Sequence, residues 1–99
     1  MTPSLLQRRL IDVSDRLKRL RSECAVADEQ LAFLEEEAED ARLRALVSET
    51  PLAEADAREV RRHADALGRH REALARSITD LLREQDALLD RMAAELPSR

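Results

Sequence analysis

The sequence predicts an all-α fold, a two-helix antiparallel coiled-coil hairpin that pairs with a second copy into a four-helix bundle. The chain of 99 residues is rich in Leu, Ala, Glu and Arg, a composition typical of long helices, and has one glycine and few strand formers. Apolar residues recur at alternating steps of three and four along both halves. The prolines Pro3, Pro51 and Pro97 divide the chain into two arms of equal length. A single domain, 1–99, is therefore expected, with a helix over 3–48, a turn at 49–50 and a helix over 51–96.

The first helix is predicted to begin at Thr2-Pro3, because threonine suits the N-cap and proline the first helical position. The apolar steps then continue without a break to Ser48, which keeps one seam facing a partner helix. The seam consists of Leu6, Leu10, Val13, Leu17, Leu20, Cys24, Ala27, Leu31, Leu34, Ala38, Ala41, Ala45 and Ser48.

The turn repeats the same capping pair, since Thr50 precedes Pro51. Only two or three residues then remain outside the helices, and so short a connection forces neighbouring helices to run antiparallel. Glu54 and Asp56 fall in the first turns of the second helix, where carboxylates complement the helix dipole.

The second helix carries a seam that matches the first in a constant register. It consists of Ala53, Ala57, Val60, Ala64, Leu67, Arg71, Leu74, Ile78, Leu81, Gln85, Leu88 and Met92. Folding about the turn places Val13 opposite Leu88 and Ala41 opposite Val60, and the match continues heptad by heptad. In the flanking charges this register predicts ion pairs between Arg16 and Glu84 and between Arg44 and Asp56.

Two seam positions are polar, Arg71 and Gln85. They are interpreted as register-fixing polar layers, with the Arg71 head reaching acids such as Glu35 or Asp28. The alternative is that they contact a ligand or partner. Gly68 costs about 1 kcal/mol inside a helix relative to alanine. Two explanations for this glycine stay open: a close approach by another chain, and chance.

Three leucines outside the seam, Leu82, Leu89 and Leu96, form a row seven residues apart on the flank of the second helix. Ile11 lies nearby on the first helix. Single exposed apolar residues need no explanation, whereas rows at helical spacing do. This leucine row, with Ile11, is predicted to be the interface of a homodimer.

A second apolar cluster lies on the outer side of the chain near the turn. Its members are Leu43, Leu46, Val47 and Leu52, and they are predicted to bind a protein partner. Val26 and Phe33 form a smaller cluster midway along the first helix. Whether these rows serve self-association or a different protein stays open at this stage.

No catalytic, cofactor or metal site is predicted, so the chain is not expected to be an enzyme. His63 and His70 are seven residues apart, about 10 Å along a helix, which is too far to share a zinc ion. Cys24 falls in the seam, the position of a small hydrophobe. A lone cysteine cannot form an internal disulfide, which fits a reducing cytoplasm. One glycine cannot build a phosphate-binding loop.

The formal net charge of −4 gives no general reason to bind nucleic acid. The first half of helix one is nevertheless basic, with Arg8, Arg9, Arg16, Lys18, Arg19 and Arg21. Aromatic side chains that stack on bases are almost absent. No apolar run approaches the ~20 residues of a membrane span, and the N-terminus lacks a signal-peptide core.

The predicted function is a non-enzymatic helical-hairpin adaptor or regulator that acts in the cytoplasm through protein–protein interaction, as a homodimer without a cofactor. Nucleic acid and membranes are not expected partners. The alternatives are a nucleic-acid-binding or nucleotide-binding regulatory hairpin that uses the basic half of helix one, and a structural assembly subunit.

Overall fold

The computed structural model describes residues 4–96 and confirms the antiparallel helical hairpin. Helix α1 spans Leu5–Ser48 and helix α2 spans Pro51–Glu95, with no strand in the described part of the chain. The predicted cap at Thr2-Pro3 and the terminal Pro97 lie outside the described residues. The predicted start of the first helix at residue 3 is wrong, because Ser4 is not helical and α1 begins at Leu5. The described end of α2 is one residue short of the predicted end.

Ser4 and Gln7 form a reciprocal capping pair at the start of α1. The Gln7 backbone N–H donates to Ser4 Oγ at 3.2 Å, and the Ser4 N–H donates to Gln7 Oε1 at 2.8 Å. Two backbone donors that have no partner within the helix are thereby satisfied, which defines where α1 begins.

The turn contains Glu49 and Thr50, as predicted. Glu49 has φ of 52°, the left-handed conformation that commonly ends a helix, and its N–H donates to the Ala45 carbonyl at 3.0 Å. The Ala53 N–H donates to Thr50 Oγ1 at 3.2 Å, which confirms Thr50 as the N-cap of α2. A left-handed residue followed at once by an N-cap reverses the chain within two residues.

The described residues form two compact units. The terminal unit contains the described residues of Met1–Glu23 and Leu74–Arg99, and the turn unit contains Cys24–Ala73. In the terminal unit Val13, Leu17 and Leu88 form a buried cluster, which agrees with the predicted pairing of Val13 and Leu88. Partly buried apolar residues pack against this cluster: Leu6, Leu10, Ile78, Leu81 and Leu82.

The turn unit has a core of small side chains. Ala27, Ala38, Ala41 and Ala64 are buried there. Alanine buries little apolar area, so each layer stabilises this unit less than a leucine layer would. Throughout residues 4–96 the predicted seam positions are buried or half-buried, with the exception of Ser48, which is exposed at the end of α1.

Candidate protein-interaction surfaces

The leucine row lies on the terminal unit and is only partly exposed. Leu96 is 70% exposed, Leu89 47% and Ile11 55%. Leu82 is half-buried and packs against the cluster of Val13, Leu17 and Leu88. In the single chain Leu82 is therefore already partly withdrawn from water, unlike Leu89 and Leu96, which are exposed.

Gln85 makes a hydrogen bond within the terminal unit. Its Nε2 donates to Ser14 Oγ at 3.3 Å, in a partly buried position. Because a buried amide without a partner costs free energy, this bond allows a glutamine to occupy the seam. The bond supports the interpretation of Gln85 as a polar layer.

The apolar cluster near the turn is exposed to solvent in the hairpin. Val47 is 86% exposed and Leu52 82%, and Leu43 and Leu46 are also exposed. Phe33 lies on α1, further from the turn, and is 60% exposed. The turn unit thus presents large apolar side chains that its own core does not use.

Arg71, the other polar seam residue, pairs with Asp28. Its Nε donates to Asp28 Oδ1 at 2.7 Å, as the sequence predicted, and this hydrogen bond raises the pKa of Arg71. Glu35, the other predicted acid, instead accepts two hydrogen bonds from Arg61, at 2.6 and 2.9 Å. Both guanidinium groups are therefore held by carboxylates of the turn unit.

Two carboxylates of the turn unit have lowered pKa values. The paired hydrogen bond from Arg61 lowers the pKa of Glu35, and the hydrogen bond from Arg42 lowers that of Glu39. Both side chains are exposed, so solvent and salt screen their interactions. These pairs make a modest contribution to stability that depends on pH.

We expect the Glu35 and Glu39 pairs to stabilise the fold above the ordinary glutamate pKa of 4.5. A lowered pKa in the folded state means that acid favours the unfolded chain, so this contribution is lost as pH falls through the lowered values. Thermal melts from about pH 7 to about pH 3 measure it. The variant Glu35→Gln, Glu39→Gln should lose less melting temperature on acidification than the wild type. Parallel pH curves for the two proteins would contradict the assignment.

Shallow grooves run along the turn unit, and one of them is rimmed by arginines. Its cavity volume is about 440 Å³, and its lining consists of Ala38, Glu39, Arg42, Ala57, Arg58, Arg61 and Arg62. Arg42 and Arg61 are neutralised by glutamates, whereas Arg58 and Arg62 form no ion pair with any described residue. This lining contains no pairing of a nucleophile with a general base.

The candidate residues for metal or thiol chemistry do not converge. Among residues 4–96, no three His, Cys, Asp or Glu side chains lie close enough together to hold a metal ion. His63 and His70 are exposed, and Cys24 is a half-buried free thiol. Neither helix, as far as it is described, has a stretch long and apolar enough to cross a bilayer.

The basic half of α1 is partly neutralised by neighbouring carboxylates. Arg9 pairs with both Asp12 and Glu84, and Arg16 pairs with Asp12 at 3.4 Å. The predicted pair of Arg16 with Glu84 is therefore wrong. In the turn unit the predicted pair of Arg44 with Asp56 is present at 3.9 Å.

Comparison with known proteins yields no relative from which function can be transferred. No protein-family model matches the chain, and no curated protein or solved structure matches it either.

Proposed function

We propose that this protein is a non-enzymatic helical-hairpin adaptor or regulator that acts through protein–protein contacts as a homodimer. The observation that carries the proposal is the leucine row on the terminal unit. A two-fold dimer would bring the rows of two copies together and complete a four-helix bundle. The apolar cluster near the turn (Leu43, Leu46, Val47 and Leu52), here called the turn cluster, belongs to the turn unit and would then be available to a further protein.

The energetics favour a dimer of moderate affinity. Burying an exposed leucine contributes roughly 1.5–3 kcal/mol, and each copy would contribute Leu89, Leu96 and Ile11. Leu82 adds less because it is already half-buried in the single chain. Association costs about 4–15 kcal/mol in lost translational and rotational freedom, which offsets much of this gain, so we expect dimers in the micromolar range.

Other features of the chain agree with this function. A single half-buried free thiol suits a reducing compartment, which supports a cytoplasmic location. The nucleic-acid alternative has less support, since the net charge is −4 and carboxylates neutralise Arg9 and Arg16.

We expect light scattering to find a dimer of the purified protein at about 10–50 µM and a monomer for the variant Leu89→Glu, Leu96→Glu. Leu82 is left unchanged because a charge there would disrupt the core cluster and unfold the chain. The measurement is made in high salt, where an apolar interface persists and charge-dependent contacts are screened.

The matched control is Leu46→Glu, which places the same charge on an exposed leucine of the turn unit and should leave the dimer intact. Circular dichroism should give the same helix content for all three proteins. A wild-type monomer at these concentrations would refute the dimer. A dimer that survives in the Leu89→Glu, Leu96→Glu variant would refute the leucine row as its interface.

A further inference from the structure

Each helix of the turn unit carries a second repeat of alternating three- and four-residue steps, on the side away from the seam. The α1 outer stripe consists of Val26, Glu29, Phe33, Glu36, Asp40, Leu43 and Val47. The α2 outer stripe consists of Leu52, Ala55, Glu59, Arg62, Ala66, Arg69 and Ala73. Every residue in both stripes is exposed, so neither stripe has a partner within the turn unit.

The two stripes complement each other when one is read in the reverse direction. The layers are then Val26 with Ala73, Glu29 with Arg69, Phe33 with Ala66, Glu36 with Arg62, Asp40 with Glu59, Leu43 with Ala55, and Val47 with Leu52. Large side chains of α1 meet alanines of α2, and acids meet arginines. Two layers are exceptions: Asp40 with Glu59, where both residues are acidic, and Val47 with Leu52, where both are large and apolar. The constant heptad register is the pattern by which antiparallel helices pack.

The complementary charges are not used inside the chain. Glu29, Glu36, Arg62 and Arg69 form no ion pair or side-chain hydrogen bond with any described residue. On the side of the turn unit next to the seam, by contrast, Glu35 is bonded to Arg61. The stripes therefore combine exposed apolar groups with unpaired charges of opposite sign.

The terminal unit, taken alone, carries charges that follow the same pattern. Arg8 matches Asp90 and Asp15 matches Arg83 in the same reversed register. All four residues are exposed, and none of them pairs with a described residue. Opposite charges arranged in this way favour one register of association over others.

We propose that the α1 outer stripe of one copy packs antiparallel against the α2 outer stripe of a second copy. This inference rests on the proposed function in taking Leu43, Val47 and Leu52 as a contact surface, and it names a second copy of this chain as the partner. Because the helices face each other through their seams, their outer stripes point in opposite directions. Each contact therefore leaves one stripe free on both copies, which makes the association head-to-tail and open-ended.

The association is weak and sensitive to salt, because exposed ion pairs contribute little each and are screened. Dimers formed through the leucine row should therefore grow into larger assemblies as the protein is concentrated from about 10 µM to several hundred µM in low salt. About 0.5 M NaCl should reverse this growth and leave the dimers. Sedimentation velocity or light scattering gives the mass distribution.

Charge reversal on one stripe at a time tests the contact. Glu29→Arg with Glu36→Arg makes both stripes basic in these layers, and Arg62→Glu with Arg69→Glu makes both acidic. Each variant alone should need at least about tenfold more protein to grow beyond the dimer. An equimolar mixture should recover growth, because each stripe of one variant is then complementary to a stripe of the other.

The matched controls change residues that are close to the reversed positions but lie on helix faces outside the outer stripes. The comparison is made between single substitutions, Glu37→Arg with Glu36→Arg and Arg58→Glu with Arg62→Glu. Glu36→Arg and Arg62→Glu should each need more protein than the wild type to grow beyond the dimer. All four side chains are exposed and lack ion pairs with described residues, so only the face of the helix differs. The two controls should grow like the wild type, and unchanged helix content would show that every variant is folded.

Three results would overturn the proposal: no wild-type growth beyond the dimer, growth of either reversed variant that equals the wild type, or a mixture that stays as small as its components. If the wild type does not grow beyond the dimer, the α1 outer stripe would be assigned to a different partner, a basic helix of another protein. Failure of the leucine-row dimer is distinguishable from failure of the stripe contact, because the assemblies would then grow from the mass of a monomer.

Discussion

Leu17→Ala is expected to lower the free energy of unfolding by about 2–5 kcal/mol, the largest effect of any single substitution considered for this chain. Leu17 is 2% exposed and lies in the buried cluster with Val13 and Leu88. Truncating it removes apolar area from the core and leaves a cavity that two helices have little freedom to close. A small domain is stable by only about 5–15 kcal/mol, so the loss is a large share of the total.

Thermal and urea unfolding followed by circular dichroism measure this effect. For a domain of about this size, each kcal/mol shifts the melting temperature by roughly 4–8 °C. All melts are made at one protein concentration, because the proposed dimerisation would make the melting temperature depend on it. Leu46→Ala is the matched control, since it makes the same chemical change at a side chain that is 60% exposed. Equal losses in the two variants would show that the cluster is not the main core of the terminal unit.

Gly68→Ala is expected to raise the free energy of unfolding by about 1 kcal/mol. Glycine weakens a helix interior because it loses more backbone freedom on folding than alanine does. A Cβ at position 68 would meet nothing within 4 Å, and Gly68 does not have a positive φ. The added methyl group therefore costs nothing in the single chain.

The reverse change at an exposed helical alanine, Ala32→Gly, is the control and should lower stability by a similar amount. A fall in the melting temperature of Gly68→Ala would contradict the open space around the glycine. The same variant decides why a glycine is present. If a second chain approaches closely at this position, Gly68→Ala will stabilise the fold and weaken association; if the glycine arose by chance, association will be unchanged.

Local sequence accounts for most of the fold. The 3.5-residue repeat identified the seam positions of both helices, and the structure buries or half-buries them up to Ala45 and from Ala53 onward. Ser48, at the end of α1, is the seam position that it leaves exposed. Thr50 and Pro51 located the turn because an N-cap and a first-turn proline are properties of adjacent residues. Glu49 in the left-handed conformation was not foreseen, since glycine or asparagine usually occupies that position.

The ion pairs were predicted less well than the seam. Arg44 with Asp56 and Arg71 with Asp28 are present, whereas Glu84 is bound by Arg9 and not by Arg16. A heptad register sets the level of each Cβ atom, but it does not decide which of two arginines on the same flank, such as Arg9 and Arg16, binds a given carboxylate. Pairs of this kind also contribute little free energy, so they follow the fold and do not determine it.

The candidate surfaces could be found only in part from the sequence. The leucine row and the turn cluster were visible as apolar residues left outside the seam. The outer stripes were also present in the sequence as a second repeat. Which of their charges have no partner within the chain is known only from the ion pairs in the structure. Glu35 and Glu36 are the same residue type at adjacent positions, but in the structure Arg61 binds Glu35 and leaves Glu36 unpaired.

The sequence by itself determined the helices, the turn and the face that each helix buries, because helical periodicity and end-capping depend on residues within a few positions of one another. Only the tertiary structure decided which remaining groups stay exposed or unpaired. Leu82 and Leu89 occupy the same heptad position, yet Leu82 packs against the cluster around Val13 while Leu89 remains 47% exposed. The difference depends on the side chains that the other helix supplies at each level, and those neighbours are distant in sequence.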